Sequence, residues 1–190
     1  MNDINIQYYK TKIGELLLGS FENKLCLMDY RYRRMRNSVD NRIQKNTNAH
    51  YVEKTNDVLE TTKQQIDEYL NKGRTTFDLP LLMLGTEFQK SVWNGLLAVP
   101  YGATSSYLQL AQSINNEKAV RAVASANGAN AMSIIIPCHR IIGSDGSLVG
   151  YAGGLPAKKH LLDLEKNNTP LSDDNASLNT ACAQQGIDFI

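Results

Sequence analysis

The chain has 190 residues, of which 42% are hydrophobic and 21% are charged, and its 20 Lys and Arg residues against 19 Asp and Glu residues give a formal net charge of +1. This composition is typical of a folded globular protein, and it excludes a charged disordered protein, a collagen-like repeat and a small disulfide-dense domain. Because the net charge is close to zero, any nucleic-acid binding must come from a local group of basic side chains.

The three cysteines, Cys26, Cys138 and Cys182, are widely spaced and form no C-x-x-C pair. An odd number of such cysteines favours free thiols in a reducing compartment over a disulfide framework or a four-cysteine zinc site. The first ten residues lack the basic and apolar segments of a secretion signal, and no run reaches the ~18 apolar residues that a membrane span needs. We therefore expect a cytoplasmic protein.

Residues 4–30 predict short strands. Polar and apolar side chains alternate from residue 4 onward, Gly14 interrupts the pattern, and two further apolar runs lie on either side of the polar turn at 21–23. Alternation with a period of two, broken by turn residues, is typical of an antiparallel meander.

The next segment, residues 31–48, is rich in basic side chains and contains one acid, Asp40. Because it shows no apolar period, we expect a solvated loop, with a phosphate-contacting patch as the alternative. Its basic residues are Arg31, Arg33, Arg34, Arg36, Arg42 and Lys45.

Residues from about 51 to 71 predict an amphipathic helix, since apolar side chains recur at helical spacing and Gly73 stands where a C-terminal cap is expected. Residues 75–80 predict a short strand that ends at Pro80, and residues 81–85 predict a linker into a different kind of structure.

The second half of the chain predicts mainly helices. Thr86 with Gln89, and Ser106 with Gln109, have the spacing of capping boxes ahead of apolar helical patterns, and Pro100 ends the first of these helices. A third helix, dense in alanine, covers 119–128 and follows the second after a few polar residues. Two short helices joined in this way suggest a helix-turn-helix, although many helical hairpins bind no nucleic acid.

The remaining segments predict a buried strand, a turn and a final helix. Residues 134–136 and 141–142 are isoleucines, and Pro137 interrupts this segment. A glycine-rich stretch precedes Pro156, and a helix that Pro156 opens runs through Glu165. The chain then divides into an N-terminal α/β domain (1–80), a second domain (81–166) and a polar tail (167–190), for which we expect disorder.

Cys138 is the clearest candidate for chemistry, because it directly follows Pro137 and precedes His139 and Arg140. A cysteine is a strong nucleophile only as the thiolate, so a nearby imidazole or cation is required. Neighbouring residues on an extended chain point to opposite faces, and contact between Cys138 and His139 would need a bridging water or a chain reversal. From these four residues alone, an inert buried cysteine remains an equal alternative.

Three longer segments, 85–111, 118–130 and 136–165, in this order and spacing, resemble the successive motifs of the O6-alkylguanine-DNA alkyltransferases, also called methylated-DNA-protein-cysteine methyltransferases. The resemblance covers about residues 85–165. It implies an α+β fold, in which a small ribonuclease H-like domain of sheet and helix precedes a mainly helical domain with a helix-turn-helix. The N-terminal region resembles the family only in its strand pattern.

The resemblance also implies the function. In this family a helix-turn-helix enters the minor groove of double-stranded DNA, the nucleotide carrying O6-alkylguanine is flipped out, and one cysteine takes the alkyl group irreversibly. It implies DNA repair by a monomer that works once and needs no cofactor, associated with the nucleoid if the source is bacterial.

Carried over by position, the resemblance assigns Cys138 as the alkyl acceptor. His139 would be its general base, acting through a water molecule, and Glu165 would orient the imidazole. This arrangement is similar to a hydrolase triad, except that water cannot cleave the thioether product.

The resemblance implies roles for four further residues, in binding DNA or in holding the reactive loop. Asn130 would tie the second helix to the cysteine loop, with a helix-terminal cap as the alternative. Arg121 would occupy the place of the flipped base, with Ala122 close to the groove, and the alternative for Arg121 is an ordinary surface arginine. Tyr107 would promote rotation of the phosphate and donate a hydrogen bond to the base. The alternative for Tyr107 is an ordinary tyrosine of the core.

The resemblance also implies the walls of the substrate pocket, which would be Ser133, Tyr151, Ala152 and Gly153. The Ile141 carbonyl would recognise the exocyclic amine of the base by a hydrogen bond. Some members have proline at the position of Ser133, so the serine here predicts a roomier pocket that tolerates bulkier alkyl groups or O4-alkylthymine. Two basic residues, Lys158 and Arg140, are implied either to support the loop or to contact phosphate.

Some members of the family hold a structural zinc in the N-terminal domain. Here Phe21 and Cys26 stand at two of those ligand positions, and neither His50 nor His160 completes a plausible set, so we expect no metal. Cys26 and Cys182 then have no role in the chemistry.

The last residues carry one motif outside the resemblance. Gln184, Ile187 and Phe189 follow the spacing of the short motifs with which repair proteins bind the bacterial sliding clamp. Six-residue patterns of this kind also arise by chance.

Two alternative functions remain at this stage. A lesion-recognition protein without chemistry would lack the acceptor cysteine, which is present here. A cysteine hydrolase or thiol redox enzyme would use Cys138 and His139 repeatedly, but it leaves Tyr107, Arg121 and Asn130 without a role.

Overall fold

The structure, a computed structural model, describes residues 2–169. Its N-terminal part is a four-stranded sheet in the order β3-β2-β1-β4, in which β1 pairs with β4 in parallel and the other neighbours are antiparallel. The expected meander is confirmed, and a fourth strand joins it. The strands are β1 (Asn2–Thr11), β2 (Gly14–Phe21), β3 (Lys24–Tyr30) and β4 (Ala49–Glu53).

Apolar side chains cover both faces of this sheet. Leu16 and Leu18 of β2 point into a large core shared with the C-terminal half, while Leu17 packs with Val39 and Ile43 on the other face. Because successive side chains of a strand alternate between faces, the uninterrupted run of three leucines supplies both cores.

The expected loop over residues 31–48 is wrong, since most of it forms helix α1 (Arg36–Thr47). Val39, Ile43 and Thr47 recur every four residues and are buried against the sheet, and Asn48 ends the helix in the left-handed conformation with φ of 49°. Two strongly apolar residues among twelve give a weak sequence signal, and tertiary burial determines the helix.

Helix α2 (Asp57–Asn71) confirms the predicted amphipathic helix, but it begins later because 49–53 form β4. The Asn56 side chain caps it by accepting a hydrogen bond from the Leu59 amide at 3.0 Å. The expected strand at 75–80 is absent from the described residues. The Gln65 side chain instead satisfies both backbone groups of Asp78, each at 2.9 Å.

The C-terminal half confirms the helix-turn-helix. Both capping boxes are present, with Thr86 accepting from the Gln89 amide at 3.2 Å and Ser106 from the Gln109 amide at 3.1 Å. The two helices of this motif are α4 (Tyr107–Ser113) and α5 (Val120–Gly128), and a 3-10 turn at Glu117–Ala119 separates them. Helix α3 (Glu87–Leu97) precedes the motif.

The predicted strand at 133–142 is wrong over most of its length. Residues 131–137 are buried but fold as successive turns, Ile134 has a φ of 71°, and Cys138–Arg140 form a 3-10 turn. Only β6 (Ile141–Ile142) is extended, and it pairs in parallel with β5 (Ser105–Ser106) at the start of α4. A positive φ is rare for a β-branched residue, so this backbone is held by its surroundings.

Helix α6 (Gly154–Asn168) completes the described chain. It begins two residues before Pro156 and extends past the expected boundary at residue 166. The rest of the expected tail, including the motif of Gln184, Ile187 and Phe189, lies outside the described residues.

The larger of the two hydrophobic cores joins the two halves of the chain. It contains Leu18 and Leu25 of the sheet, Ile66 of α2, Trp93 of α3 and Leu161 of α6. The structure is therefore α+β, with a mixed sheet packed against a mainly helical C-terminal half. Among residues 2–169, no helix has the length and apolar character that a membrane crossing requires.

Candidate active site

A cavity of about 390 Å³ lies where the N-terminal and C-terminal halves meet. Its walls come from the turn at 33–35, from α4 and α5, and from the glycine-rich loop at 150–154, and Cys138 lines it. We call this space the Cys138 cavity. Its volume lies within the range of small-molecule sites in proteins.

Cys138 is a buried free thiol with 5% of its surface exposed. Burial raises the pKa of this thiol to about 11, although a hydrogen bond from Asn130 acts in the opposite direction. Because a buried thiolate is costly, the cysteine is protonated at neutral pH and needs a base to react.

His139 is fully buried beside it, and its Nε2 lies 2.8 Å from Oε1 of Glu165. Burial lowers the pKa of His139, and the carboxylate of Glu165 only partly offsets this, so the imidazole is neutral at pH 7. An imidazole that donates from Nε2 to a carboxylate carries its lone pair on Nδ1. That nitrogen is buried and has no hydrogen-bond partner among residues 2–169, so it is available to accept a proton.

The carboxylate of Glu165 is held by donors from several parts of the chain. Tyr69 of α2 donates to it at 2.6 Å, the Gly102 amide at 3.0 Å, and Arg140 through Nε at 2.9 Å. Burial alone would raise the pKa of Glu165, but hydrogen bonds from His139 and Arg140 lower it to about 2. The group is thus a fixed anion behind the imidazole.

Tyr69 and Gly102 were not predicted as part of the site. Tyr69 carried only the signal of an apolar helix position, and the role of Gly102 is a backbone amide, which no side-chain pattern reveals. Arg140 and Lys158 were predicted either to support the loop or to contact phosphate. Arg140 binds Glu165, and Lys158 donates to the carbonyls of Ile141 and Val149, so their contacts favour the support of the loop.

Asn130 fastens the backbone of the reactive loop. Its side-chain nitrogen donates to the Ile136 carbonyl at 2.9 Å, and its side-chain oxygen accepts from the Met132 amide at 2.9 Å. These bonds close the turns that carry Ile134 and lead into Cys138. These contacts link the end of α5 to the cysteine loop, and the part that Asn130 plays in the reaction stays a prediction.

The residues predicted to contact DNA lie on α4 and α5. Tyr107, the first residue of α4, is half-buried and lines the Cys138 cavity. Arg121 and Ala122 are exposed on the first turn of α5. Ala122 and Ser125, three residues apart on the exposed face of α5, have small side chains, which permits another surface to approach this part of the helix closely.

The predicted pocket residues do not all reach the cavity. Tyr151 and Ala152 line it, and Gly153 lies behind them against the ring of Tyr30, where a side chain would collide. Ser133 is fully buried, and its hydroxyl donates to Asp29 at 2.9 Å.

The expectation of a roomier pocket at Ser133 is therefore not supported by its position. The Ile141 carbonyl was predicted to read the exocyclic amine, and it already accepts a hydrogen bond from Lys158. Ser133 lies in the compact turns of 131–137, which replace the extended strand that the sequence predicted, whereas the Ile141 carbonyl is engaged by a side chain of α6.

The positions considered for zinc lie outside the Cys138 cavity. Phe21 and Cys26 belong to the core on the α1 side of the sheet, where the Cys26 thiol faces the Gly19 carbonyl at 3.4 Å. His50 and His160 are exposed on β4 and α6. Cys182 lies outside the described residues.

Comparison with known protein families matches two models to this chain. The ribonuclease-like domain of 6-O-methylguanine DNA methyltransferase matches residues 4–83, and the DNA-binding domain of the same family matches residues 87–167. Together they account for both halves of the structure.

Curated relatives agree with this result. A methylated-DNA–protein-cysteine methyltransferase of Methanosarcina barkeri is 42% identical over 159 residues, which are 84% of this chain and 95% of the relative. The inducible methylated-DNA–protein-cysteine methyltransferase of Bacillus subtilis is 51% identical over 110 residues, 58% of this chain and 62% of that protein.

Among solved structures, Mycobacterium tuberculosis OGT in complex with DNA superposes with a TM-score of 0.74 at 34% sequence identity, covering 88% of this chain and 96% of that one. The similarity of sequence and structure extends over both halves of the molecule. The chain belongs to the methylated-DNA–protein-cysteine methyltransferase family.

Proposed function

We propose that this protein repairs DNA by moving the alkyl group of O6-alkylguanine onto Cys138. The observation that carries the proposal is the pairing of a buried cysteine in an open cavity with a neutral His139 that a buried Glu165 anchors. The relatives act, by their names, on methylated DNA and transfer to a protein cysteine.

The reaction requires the thiol proton of Cys138 to leave. Nδ1 of His139 accepts it through a water molecule, and the imidazolium that forms is stabilised by Glu165. The sulfur then bonds to the alkyl carbon as the bond from that carbon to O6 breaks. Tyr107 donates a proton to the departing guanine and regains one from His139, so that the thiol proton finally replaces the alkyl group on guanine.

The product is a thioether, which has no acyl or disulfide bond that water or a thiol could cleave. Each molecule therefore reacts once. No metal or cofactor enters this scheme, because the nucleophile, the base and the anion that orients the base are all side chains of the chain itself.

DNA would approach through the helix-turn-helix. In this proposal the small exposed side chains of α5 enter the minor groove, and Arg121 occupies the space that a flipped nucleotide leaves in the stack. Extruding an alkylated base costs less than extruding a normal one, because its pairing is already weakened. We propose that one protein monomer binds one lesion in this way.

The test is intact-protein mass spectrometry after incubation with a duplex that contains one O6-methylguanine. We expect a gain of about 14 Da, the mass of one methylene, at one methyl group per protein molecule, and no gain for Cys138→Ala. Binding of the lesion without a mass change would favour a recognition protein, and repeated turnover of a thiol substrate without DNA would favour a hydrolase or redox enzyme.

Transfer of the alkyl group from O4-alkylthymine in DNA is a separate proposal. The reason first given for it, a roomier pocket at Ser133, is weakened because Ser133 binds Asp29 outside the cavity wall. The same mass measurement with O4-methylthymine in the duplex decides it, and an unmodified protein mass would reject it.

Binding to the bacterial sliding clamp through Gln184, Ile187 and Phe189 is a prediction from the sequence alone. A pull-down with purified clamp compares the full chain with a chain that lacks residues 184–190. We expect capture only of the full chain, and equal capture of both would end the proposal.

A further inference from the structure

The N-terminal half contributes a wall to the Cys138 cavity. Arg33, Arg34 and Met35, in the turn between β3 and α1, line this cavity opposite Asn127 and Gly128 of α5. The segment belongs to the basic run whose position relative to DNA the sequence left open.

The turn is held firmly to the C-terminal half. Arg33 is buried and forms an ion pair with the fully buried Asp29, and its guanidinium also donates to the carbonyls of Gly128 at 2.5 Å and Asn130 at 2.9 Å. The wall is therefore fixed to the end of α5, and its position relative to Cys138 is defined before any ligand binds.

Most basic side chains of the run are already used inside the molecule. Two exceptions, Arg34 and Lys45, are exposed and form no hydrogen bond or ion pair with other residues in the range 2–169. Only Arg34 of these two lines the Cys138 cavity. The engaged residues are Arg31 with Glu15, Arg33 with Asp29, Arg36 with Asp40, and Arg42 with the Ala129 carbonyl.

The charge of the cavity fits an anion at this place. Two arginines are among its lining residues, and none of the residues in 2–169 that line it carries a carboxylate. Arg33 is neutralised by Asp29, whereas the guanidinium of Arg34 is free to offer its fork of donors to phosphate oxygens. Met35, 55% exposed beside it, presents apolar surface that suits a sugar ring.

We propose that Arg34 binds the phosphate of the nucleotide whose base enters the Cys138 cavity. The inference rests on the proposed function, because it requires a flipped nucleotide. The alkylated base must reach the buried sulfur, so its sugar and phosphate remain at the exposed rim, where Arg34 and Met35 lie. Arg121 would then hold the duplex from α5, and Arg34 would hold the extruded nucleotide from the opposite wall.

The experiment measures DNA binding in the Cys138→Ala background, where no transfer occurs. Fluorescence anisotropy over a series of salt concentrations compares a duplex that carries one O6-methylguanine with the same duplex carrying guanine. The variants are Arg34→Ala, Arg34→Lys and, as a matched control, Lys45→Ala, which removes the same charge from the same run but away from the cavity.

We expect Arg34→Ala to weaken binding of the lesion duplex by about tenfold and to reduce the slope of log K against log salt by about 1, the loss of one phosphate contact. The undamaged duplex should lose less, because its nucleotides stay stacked. Arg34→Lys should keep the salt slope, and Lys45→Ala should change neither quantity.

The proposal is overturned if Arg34→Ala and Lys45→Ala behave alike, or if Arg34→Ala weakens both duplexes equally. Labelling of Cys138 by iodoacetamide, in proteins that retain the cysteine, should proceed at the same rate in the wild type and Arg34→Ala. A changed rate would also overturn the proposal, because the loss of binding would then come from a disturbed cavity. Failure of the wild type to gain methyl mass would refute the proposed function, whereas wild-type transfer with unchanged binding by Arg34→Ala refutes only this inference.

Discussion

At the scale of single residues, the reactivity of Cys138 depends on two opposed effects of burial. Burial raises the pKa of the thiol to about 11 and lowers the pKa of His139. In the proposed reaction, the first effect keeps the nucleophile protonated, and the second keeps its base ready to accept the proton. We therefore expect burial to make the cysteine inert toward solvent and reactive toward a substrate that fills the cavity.

The pH dependence of the reaction tests this assignment. With His139 as the base, the single-turnover rate of the wild type should be flat from about pH 7 to 9, since the imidazole is already neutral in that range. In His139→Gln the rate should fall by about 10²- to 10⁴-fold at pH 7 and rise about tenfold per pH unit, following the thiolate. Rapid-quench measurement of methyl transfer gives both profiles, and parallel profiles would contradict the role of His139.

The lowered pKa of Glu165 leads to a second prediction, which concerns the free energy of unfolding at acid pH. Its pKa is lowered from 4.5 to about 2 in the folded protein, so its stabilisation is complete above pH 4.5 and is lost as the pH falls toward 2. The loss is on the order of 3 kcal/mol. The lowered pKa of His139 adds a loss that begins as the pH falls below 6.5.

Urea unfolding between pH 2 and 7 measures this effect. Glu165→Gln should flatten the decline between pH 4.5 and 2, whereas Glu87→Gln, at an exposed carboxylate in α3, should leave the pH profile unchanged. An unchanged profile in Glu165→Gln would show that the acid sensitivity resides elsewhere.

At the scale of elements, the end of α5 is held by arginines from the other half of the chain. Replacing Arg33 by Met leaves Asp29 buried without its closest cation and frees two carbonyls, so we expect a loss of about 3 to 5 kcal/mol in the free energy of unfolding. Arg31→Met, which breaks the more exposed pair with Glu15, should cost about 0 to 1 kcal/mol.

Denaturant unfolding compares these two variants. Hydrogen exchange of the Met132 and Ile136 amides adds a local readout, because the loop that Asn130 closes begins at the clamped carbonyl. If Arg33→Met and Arg31→Met lose the same stability, Arg33 does not fix the end of α5.

The elements that the sequence predicted well are those with local signals. The two capping boxes, the turn residues of the meander and the period of α2 each lie within a few residues of the structure they specify. Helix α1 was missed because its apolar residues are few, and residues 131–137 were mistaken for a strand because their apolar side chains are buried in turns. Tertiary contacts determine both segments, and no short window of sequence contains those contacts.

The site was predictable to the extent that the family motifs contain it. The resemblance assigned roles to Cys138, His139, Asn130 and Glu165, and the structure brings the side chains of His139 and Glu165 into contact. The contributions of Tyr69, Asp29 and Arg33 come from residues distant in sequence, and their pairing depends on the packing of the two halves.

At the scale of the whole molecule, the shared core predicts a single unfolding transition. The far-ultraviolet ellipticity of the whole chain and the fluorescence of Trp93, the one tryptophan, should report the same urea midpoint. Leu18→Ala, in the sheet, should lower both midpoints together and cost about 2 to 5 kcal/mol, while Leu155→Ala, at an exposed position, should have little effect. Separate midpoints for the two probes would show that the halves unfold independently.

The clamp on Glu165 has a consequence for the protein during its synthesis. Tyr69, His139 and Arg140, which donate hydrogen bonds to the Glu165 carboxylate, all precede it in the chain. They therefore leave the ribosome before Glu165 does. Until α6 docks, His139 has no anion behind it and the Cys138 cavity has no complete wall. If the proposed roles of His139 and Glu165 hold, we expect an unfinished chain that meets damaged DNA not to be consumed, so that the single reaction of each molecule is reserved for the finished fold.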